Sequence, residues 1–263
     1  MNGYRLYKHA WVISKDPHLE KRLNKDEIKT LLSKGGLMVR NTYNFDCEEE
    51  TSFWYVIKDY FGGMDELSTK MRNQVKKCFK TMFIKKISSF DLLQNGYEVL
   101  VAASNNYKYK SAPPSYEEFE QRINNMEENE FWGCFDKETN QLVAFSMNAV
   151  SAESCEYRTM KAIPKYQKLY AYYGLIYEMN RYYLEEMSLK YVNDGSRSIT
   201  NHSNMQPFLI DKFNFKKAYC HIHIEYKKWF GLFIKLVYPI RRFIKLKQID
   251  ALMQMEAIQR SEQ

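Results

Sequence analysis

Tyr191-Val-Asn-Asp-Gly-Ser-Arg-Ser-Ile-Thr-Asn-His-Ser-Asn-Met-Gln-Pro-Phe-Leu-Ile-Asp-Lys-Phe-Asn-Phe-Lys-Lys-Ala-Tyr-Cys220 decides how the chain is to be read. It opens on a short strand, Lys190 to Asn193. A polar loop of Ser, Asn and His follows. Ser203-Asn-Met-Gln206 has the spacing of a capping box and starts a helix that runs to Phe213. Tyr219 to Tyr226 then alternates apolar and polar residues as a strand does.

Working upstream, Leu169 to Met187 reads as one long Tyr-rich helix, and Pro164 breaks the strand Cys155 to Ile163 before it. Phe131 to Phe135 and Leu142 to Val150 form a hairpin about the polar turn 136–141. Ser115 with Glu118 caps a helix to about Glu128. Phe90 to Ala103 is helical despite Gly96, Thr81 to Ile87 is a strand, and a basic helix runs from Asp65 or Ser68 to about Lys80. Leu37 to Phe45 and Ser52 to Lys58 read as two strands around the acidic loop Cys47 to Glu50, giving hairpins early in the chain. Lys25 to Lys34 is a short helix stopped by Gly35-Gly36. The sum is a mixed α/β (α+β) chain with β-α-β-α-β order late and no firm boundary within residues 1–226. Residues 227–263 form a helical tail.

The 263 residues are enough for a sizeable core, and 45% hydrophobic with 27% charged residues is the balance of a globular chain. Five cysteines at wide spacings, with no CxxC, argue against a disulfide framework. The first residues lack the apolar run of a secretory signal, and no apolar stretch is long enough to span a bilayer. The expectation is a cytoplasmic protein. The net charge of +7 is concentrated: residues 68–86 and 227–247 each hold seven basic residues and no acidic one. Such patches attract phosphates, nucleic acid or anionic lipid, or are solvated helix faces.

The order of these motifs resembles the GNAT acyltransferase fold, most closely its FemAB-like branch. The resemblance covers roughly residues 50 to 226. It rests on the hairpin Phe131-Trp-Gly-Cys-Phe135 with Gln141-Leu-Val-Ala-Phe145, on the strand–loop–helix–strand 190–226, and on the basic helix Ser68 to Lys77. Arg72 stands where FemAB-like proteins have a recurrent Arg. The resemblance implies a mixed, mostly antiparallel sheet flanked by helices, with 142–150 beside 155–163. It implies an N- or O-acyltransferase that uses acyl-CoA or aminoacyl-tRNA as donor, with no metal. The acceptor would be a small molecule, such as a sugar, or a lipid-linked envelope precursor. Nucleic acid enters only if the donor is a tRNA.

In GNAT proteins the acyl group lies between two splayed strands, and a helix N-terminus receives the donor's phosphates. By that correspondence Ser146 and Asn148 of the hairpin, with Lys165, Gln167, Lys168 and Tyr170 before the long helix, are the cofactor-binding candidates. The family's glycine-rich phosphate loop is not reproduced in 165–174, as is also true of FemAB-like proteins. Its leaving-group acid, a Tyr five residues before the final Phe, is Ile210 here, and Asn214 replaces a turn Gly. Asn tolerates the left-handed conformation, so that turn survives. The catalytic candidates are Asp194, Arg197, His202 and Asn204 in the loop after the strand, with Glu156 on the preceding strand. His202 has the pKa range of a base for an amine or hydroxyl. The opposing reading is a catalytically silent GNAT-like module that binds a ligand or partner. His221, His223 and Glu225 share one strand face by their period of two, but three ligands on one strand close poorly around a metal. The tail from Trp229 to Lys247 interleaves Trp, Phe, Leu and Ile with basic residues. It either packs on the sheet or lies at the inner surface of a membrane.

Overall fold

A computed structural model describes residues 3–7, 9–14, 16–105, 112–125, 129–199, 204–243 and 246–262. The chain divides into two compact units. One comprises Met1–Val56, Ser196–Gln206 and Lys216–Gln263. The other comprises Ile57–Gly195 and Pro207–Phe215.

The first unit begins with a hairpin of β1 (Tyr4–Tyr7) and β2 (Ala10–Ile13), within a region whose polar composition hid it. His9 turns that hairpin at a φ of 66°. Helix α1 (Lys25–Ser33) follows, capped reciprocally by Asn24 and Glu27. Strand β3 (Met38–Tyr43) lies parallel to β2, and Trp11, Leu23, Ile28, Leu31 and Val39 pack together. Strand β4 (Phe53–Lys58) does not return against β3 as expected. A strand from far along the chain lies between them: β3 pairs antiparallel with Lys216–Tyr226, His221 opposite Tyr43. The acidic loop crosses over that strand. Cys47 N donates to Tyr219 O at 3.0 Å, and Thr51 Oγ1 donates to Cys220 O at 2.8 Å. These bonds satisfy loop groups that a tight hairpin would have paired internally.

The second unit is built on a central sheet. Helix α2 (Thr69–Thr81) takes Ser68 as its cap, and β5 (Met82–Ile87) and α3 (Ser89–Ser104) follow. Helix α4 (Tyr116–Asn124) carries the expected capping box of Ser115 and Glu118. Strands β6 (Asn129–Asp136), β7 (Leu142–Val150) and β8 (Ser154–Ala162) extend the sheet antiparallel from β5. The first seven residues of β7 are buried, as in a strand covered on both faces. Phe145 and Met147 pack among Leu92, Val99, Phe119 and Ile123 of α3 and α4.

The expected long helix after β8 is broken into parts. Helix α5 (Pro164–Gln167) ends at Lys168, and Tyr170 turns left-handed at a φ of 69°. Helix α6 (Ala171–Asn180) then starts, and Arg181–Glu186 continues it with π-type winding. Gly174 lets α6 approach α2 closely: a Cβ there would fall 2.3 Å from Cys78 Sγ. Strand β9 (Tyr191–Ser196) joins β8 in parallel, and α7 (Met205–Phe213) follows. Asn214 turns at a φ of 56°, as read from the sequence, and donates to Glu66 O at 2.9 Å. Strand β10 (Lys216–Tyr226) and helices α8 (Lys228–Val237) and α9 (Lys247–Ser261) belong to the first unit. The five cysteines are unpaired.

Candidate functional site

The second unit contains a fork between β8 and β9. The two strands pair only over Ser154–Tyr191, Cys155–Val192 and Glu156–Asn193. Beyond that point β8 runs on to Ala162 without β9 beside it. Two devices hold the fork. On β9, Asn193 Nδ2 donates to Cys155 O at 3.2 Å, while its Oδ1 accepts from Gly195 N at 3.0 Å. Gly195 has a φ of 76°, a conformation that favours glycine, so β9 bends just past the fork. On β8, the register against β7 shifts between Met147 and Asn148, so that Thr159 pairs with Met147 and Tyr157 with Asn148. Arg158 is the extra residue of this bulge. Its Nε donates to Glu156 Oε2 at 2.9 Å. Both side chains are partly exposed.

Residues directly opposite on neighbouring strands share a sheet face. Glu156 lies opposite Ala149, and Thr159 opposite Met147. Phe145, Met147 and Ala149 alternate along one face of β7. Glu156 and Thr159 are therefore on the face of Phe145 and Met147, the face covered by α3 and α4. A cavity of about 450 Å³ opens on that face, lined by Leu100, Phe119, Phe145 and Met147 below and by Glu118, Arg122 and Thr159 at its polar side. Arg122 Nη2 donates to Thr159 Oγ1 at 2.8 Å. The result is an apolar floor with a guanidinium at the rim, and a carboxylate–guanidinium pair further along the same strand. Such a site can hold a polar acceptor's apolar part and take a proton from its nucleophile.

The opposite face of β7 is closed. Ser146 and Asn148, the strand residues expected to meet the donor, are fully buried. Ser146 Oγ donates to Asn148 Oδ1 at 2.5 Å, and Asn148 Nδ2 donates to Tyr183 Oη at 3.3 Å. Trp132 Nε1 also donates to Tyr183 Oη, at 2.8 Å, and Tyr183 passes its own proton toward Glu130 Oε2 at 2.9 Å. Lys86 Nζ closes the chain on Glu130 at 2.6 Å. Each polar atom of Tyr183 is satisfied, and burial pushes its hydroxyl far above the ordinary range. Tyr183 from the π-wound turn packs against Trp132 on this side, and Ser146 and Asn148 are bonded within the core. Burial on the same side drives the Cys155 thiol well up.

The loop before α6 is only partly available. Gln167 Nε2 donates to Ala162 O at 3.0 Å, which ties it to the strand. Tyr170 packs edge-on against Tyr173, and its carbonyl accepts from Tyr173 N and Gly174 N. The exposed cations Lys165 and Lys168 remain; Lys165 lies 5.2 Å from the Tyr166 ring.

This arrangement has counterparts among solved structures. FemX aligns with 76% of the chain and 68% of its own, at a TM-score of 0.50 and 9% identity. The C-terminal domain (DUF2156) of a putative lysylphosphatidylglycerol synthetase from Agrobacterium fabrum aligns with 85% of the chain and 80% of its own, at a TM-score of 0.53 and 10% identity. L-PGS from Bacillus licheniformis aligns with 82% and 76%, at 0.50 and 11%. The chain shares the fold of these structures, a mixed, mostly antiparallel sheet flanked by helices. No protein-family model matches the sequence, and no curated protein matches it either.

The remaining candidates are spread over both units. Glu156 stands at the fork, and Asp194 is next to it on β9, beside Asn193. Arg197 belongs to the first unit and is engaged there. Its Nη1 donates to Ser52 O at 2.5 Å, and its guanidinium lies 4.4 Å from the Trp54 ring, as does Lys217 Nζ. It fastens β4 and is occupied structurally. Asn204 is exposed just before α7, and His202 lies outside the described residues, with Asn201 and Ser203. The expected capping box includes Ser203, which lies outside the described residues; Gln206 accepts from Ser198 N at 3.1 Å and donates to Ser196 O at 2.9 Å, ordering the segment after β9. Among the described residues no cluster of three His, Cys, Asp or Glu is placed to hold a metal. His223 instead meets Glu225 at 3.2 Å, and His221 stacks on Tyr43. The sequence reading missed Arg122 and Thr159. Their signal was the polar stripe Glu118, Arg122, Asn125 beside the apolar pair Phe119 and Ile123.

Proposed function

We propose that this chain transfers an acyl or aminoacyl group from acyl-CoA or aminoacyl-tRNA to an amine or hydroxyl acceptor. The observation that carries the reading is the fork of β8 and β9 with Glu156 at its vertex, on the face that holds the cavity. In this reading the acceptor sits over Met147 and Thr159 with Arg122 at its polar end. Glu156, steadied by Arg158, takes the proton as the acceptor's nitrogen or oxygen attacks the acyl carbonyl. The thiol or tRNA hydroxyl departs, and an amide or ester forms. Asn193 orders the vertex with Asp194 beside it, and Lys165 and Lys168 meet the donor's phosphates. Proximity and electrostatic positioning supply most of the rate.

A lipid-linked acceptor is supported by likeness to a neighbour named for lysylphosphatidylglycerol synthesis, whose name describes an aminoacylated phospholipid. Such an acceptor would be met at the inner surface of a membrane, with the tail as the point of contact. A second reading, a silent binding module, is favoured by Ile210, which stands where the resemblance would place the leaving group's acid Tyr.

The test is calorimetry with CoA, acyl-CoAs and aminoacyl-tRNA, followed by mass spectrometry of acceptors incubated with whichever donor binds. Donor binding with transfer supports the enzyme, and binding without transfer supports the silent module. No binding by any donor overturns the transferase reading. Replacing Lys165 and Lys168 with Glu is expected to weaken the bound donor at least about tenfold.

A further inference from the structure

Helix α8 buries one side chain, Ile234, and turns most of its apolar residues outward. Trp229 is 63% exposed, Leu232 60% and Leu236 68%, with Phe233 beside them. The exposed stripe continues through Ile240 and Phe243 in the turn Tyr238–Phe243. Positions 229, 232, 233 and 236 fall on one side of a helix, and Lys228 and Lys235 lie along the edge of that side. Arg242 is exposed in the turn that follows.

The sheet does not need this face. Helix α9 covers β10: Gln259 Oε1 accepts from Ile224 N at 2.5 Å, Glu262 Oε2 from Ile222 N at 2.9 Å, and Glu256 Oε2 from the Tyr226 hydroxyl at 2.7 Å. The outward face is also held in place. Phe230 packs on Tyr226 and stacks with Phe233, and the Tyr238 ring lies within 4.0 Å of the Arg241 guanidinium and 3.9 Å of that of Arg260.

We propose that α8 and the turn after it form a docking surface for an anionic lipid bilayer. Trp229, Leu232, Leu236 and Ile240 enter the boundary between headgroups and acyl chains. Lys228, Lys235 and Arg242 meet lipid phosphates at its edge. Charge selects this occupant over a second copy of the chain. Residues 227–247 carry seven basic and no acidic side chains, so apposing two such faces would bring like charges together. Spanning is not involved: among the described residues no helix is long and apolar enough to cross a membrane. Docking is measured without donor or acceptor, so its failure leaves the transferase reading standing, and the reverse holds as well.

The experiment is flotation of the full chain with phosphatidylcholine vesicles, with and without phosphatidylglycerol, at low and high salt. Two variants accompany it: Trp229→Ser/Leu232→Ser/Leu236→Ser, and Lys228→Gln/Lys235→Gln/Arg242→Gln. All six positions are on the outside, so unfolding midpoints should stay near the parent's. The parent is expected to float with the anionic vesicles only, and less at high salt. Each variant should lose about tenfold or more in partitioning. Brominated lipid should quench Trp229 fluorescence in the bound parent. Absence of binding, or equal binding by parent and apolar variant, overturns the proposal. So does a dimer that the apolar variant splits while no vesicle binds, because the face would then belong to a second copy.

Discussion

The two faces of β7 carry the same kind of strand in opposite states. One face presents Ser146 and Asn148, polar residues that suggest a binding strand. It is sealed by Trp132 and Tyr183, with every hydroxyl and amide engaged. The other presents Phe145 and Met147, which suggest core, and it opens to a cavity edged by Arg122 and Thr159. Polar character therefore marks the closed side and apolar character the open one. Burying a polar group is tolerable only when its bonds are made, so a buried polar cluster indicates a finished network. A cavity requires a mismatch between layers, and apolar residues leave one when the covering helix turns short or polar side chains toward them.

This contrast breaks most sharply at the vertex of the fork. Glu156→Gln keeps the shape of the side chain and its proximity to Arg158 but removes the carboxylate proposed as base. Turnover of an identified donor and acceptor should fall on the order of 100- to 10,000-fold, with the unfolding midpoint nearly unchanged. A fall below tenfold would move the proton transfer elsewhere, with Asp194 the next group to test.

The closed face predicts the reverse pattern. Asn148→Leu leaves Ser146 and Tyr183 each short of a partner and should cost about 2–3 kcal/mol in a denaturant titration, while activity per folded molecule persists. Loss of activity without loss of stability would show that the network belongs to the site.

A smaller effect is expected in the cavity. Thr159→Trp fills it from the rim and removes the anchor of Arg122. Acceptor binding should weaken about tenfold, with donor binding unaffected, as read by calorimetry with each ligand alone. Equal weakening for both ligands would mean that they share the space.

The smallest effect sharpens the comparison from the other unit, where a buried cluster contains an ionisable group. Tyr55 Oη donates to Glu20 Oε1 at 3.0 Å and lies 3.2 Å from Thr42 Oγ1. Burial raises the Glu20 carboxyl from its ordinary 4.5 to about 8, although the Tyr55 hydrogen bond and Arg40 oppose the rise. The folded state then binds the proton more tightly than the unfolded state. Stability from this group is present below pH 4.5 and declines as pH rises toward 8. Glu20→Gln should flatten that slope, seen as a midpoint less sensitive to pH across the window. An unchanged slope would mean that Glu20 is solvated.

Much of the architecture was legible in the sequence because local signals and tertiary demands agreed. The capping box of Ser115 and Glu118, the hairpin of β6 and β7 and the turn at Asn214 rest on interactions between residues close in the chain. The fork vertex was half legible: Glu156 was named as a candidate, but Arg158 as its partner on β8 depends on a bulge that only the register against β7 reveals. The cavity was not legible, since Arg122 and Thr159 meet across a gap of 37 residues in sequence.

Alone, the sequence determined most of the strands and helices from β3 onward, which residues are charged, and that residues 227–247 are basic and amphipathic. These follow from periodicity, and periodicity is local. Tertiary structure decided that β10 rather than β4 lies beside β3, that Tyr170 breaks the long helix, and that Arg197 fastens Trp54. It also decided that α9 covers β10, so that the apolar side of α8 faces outward. Each of these depends on which of several similar surfaces wins a partner, and that competition is settled by packing between segments far apart in the chain.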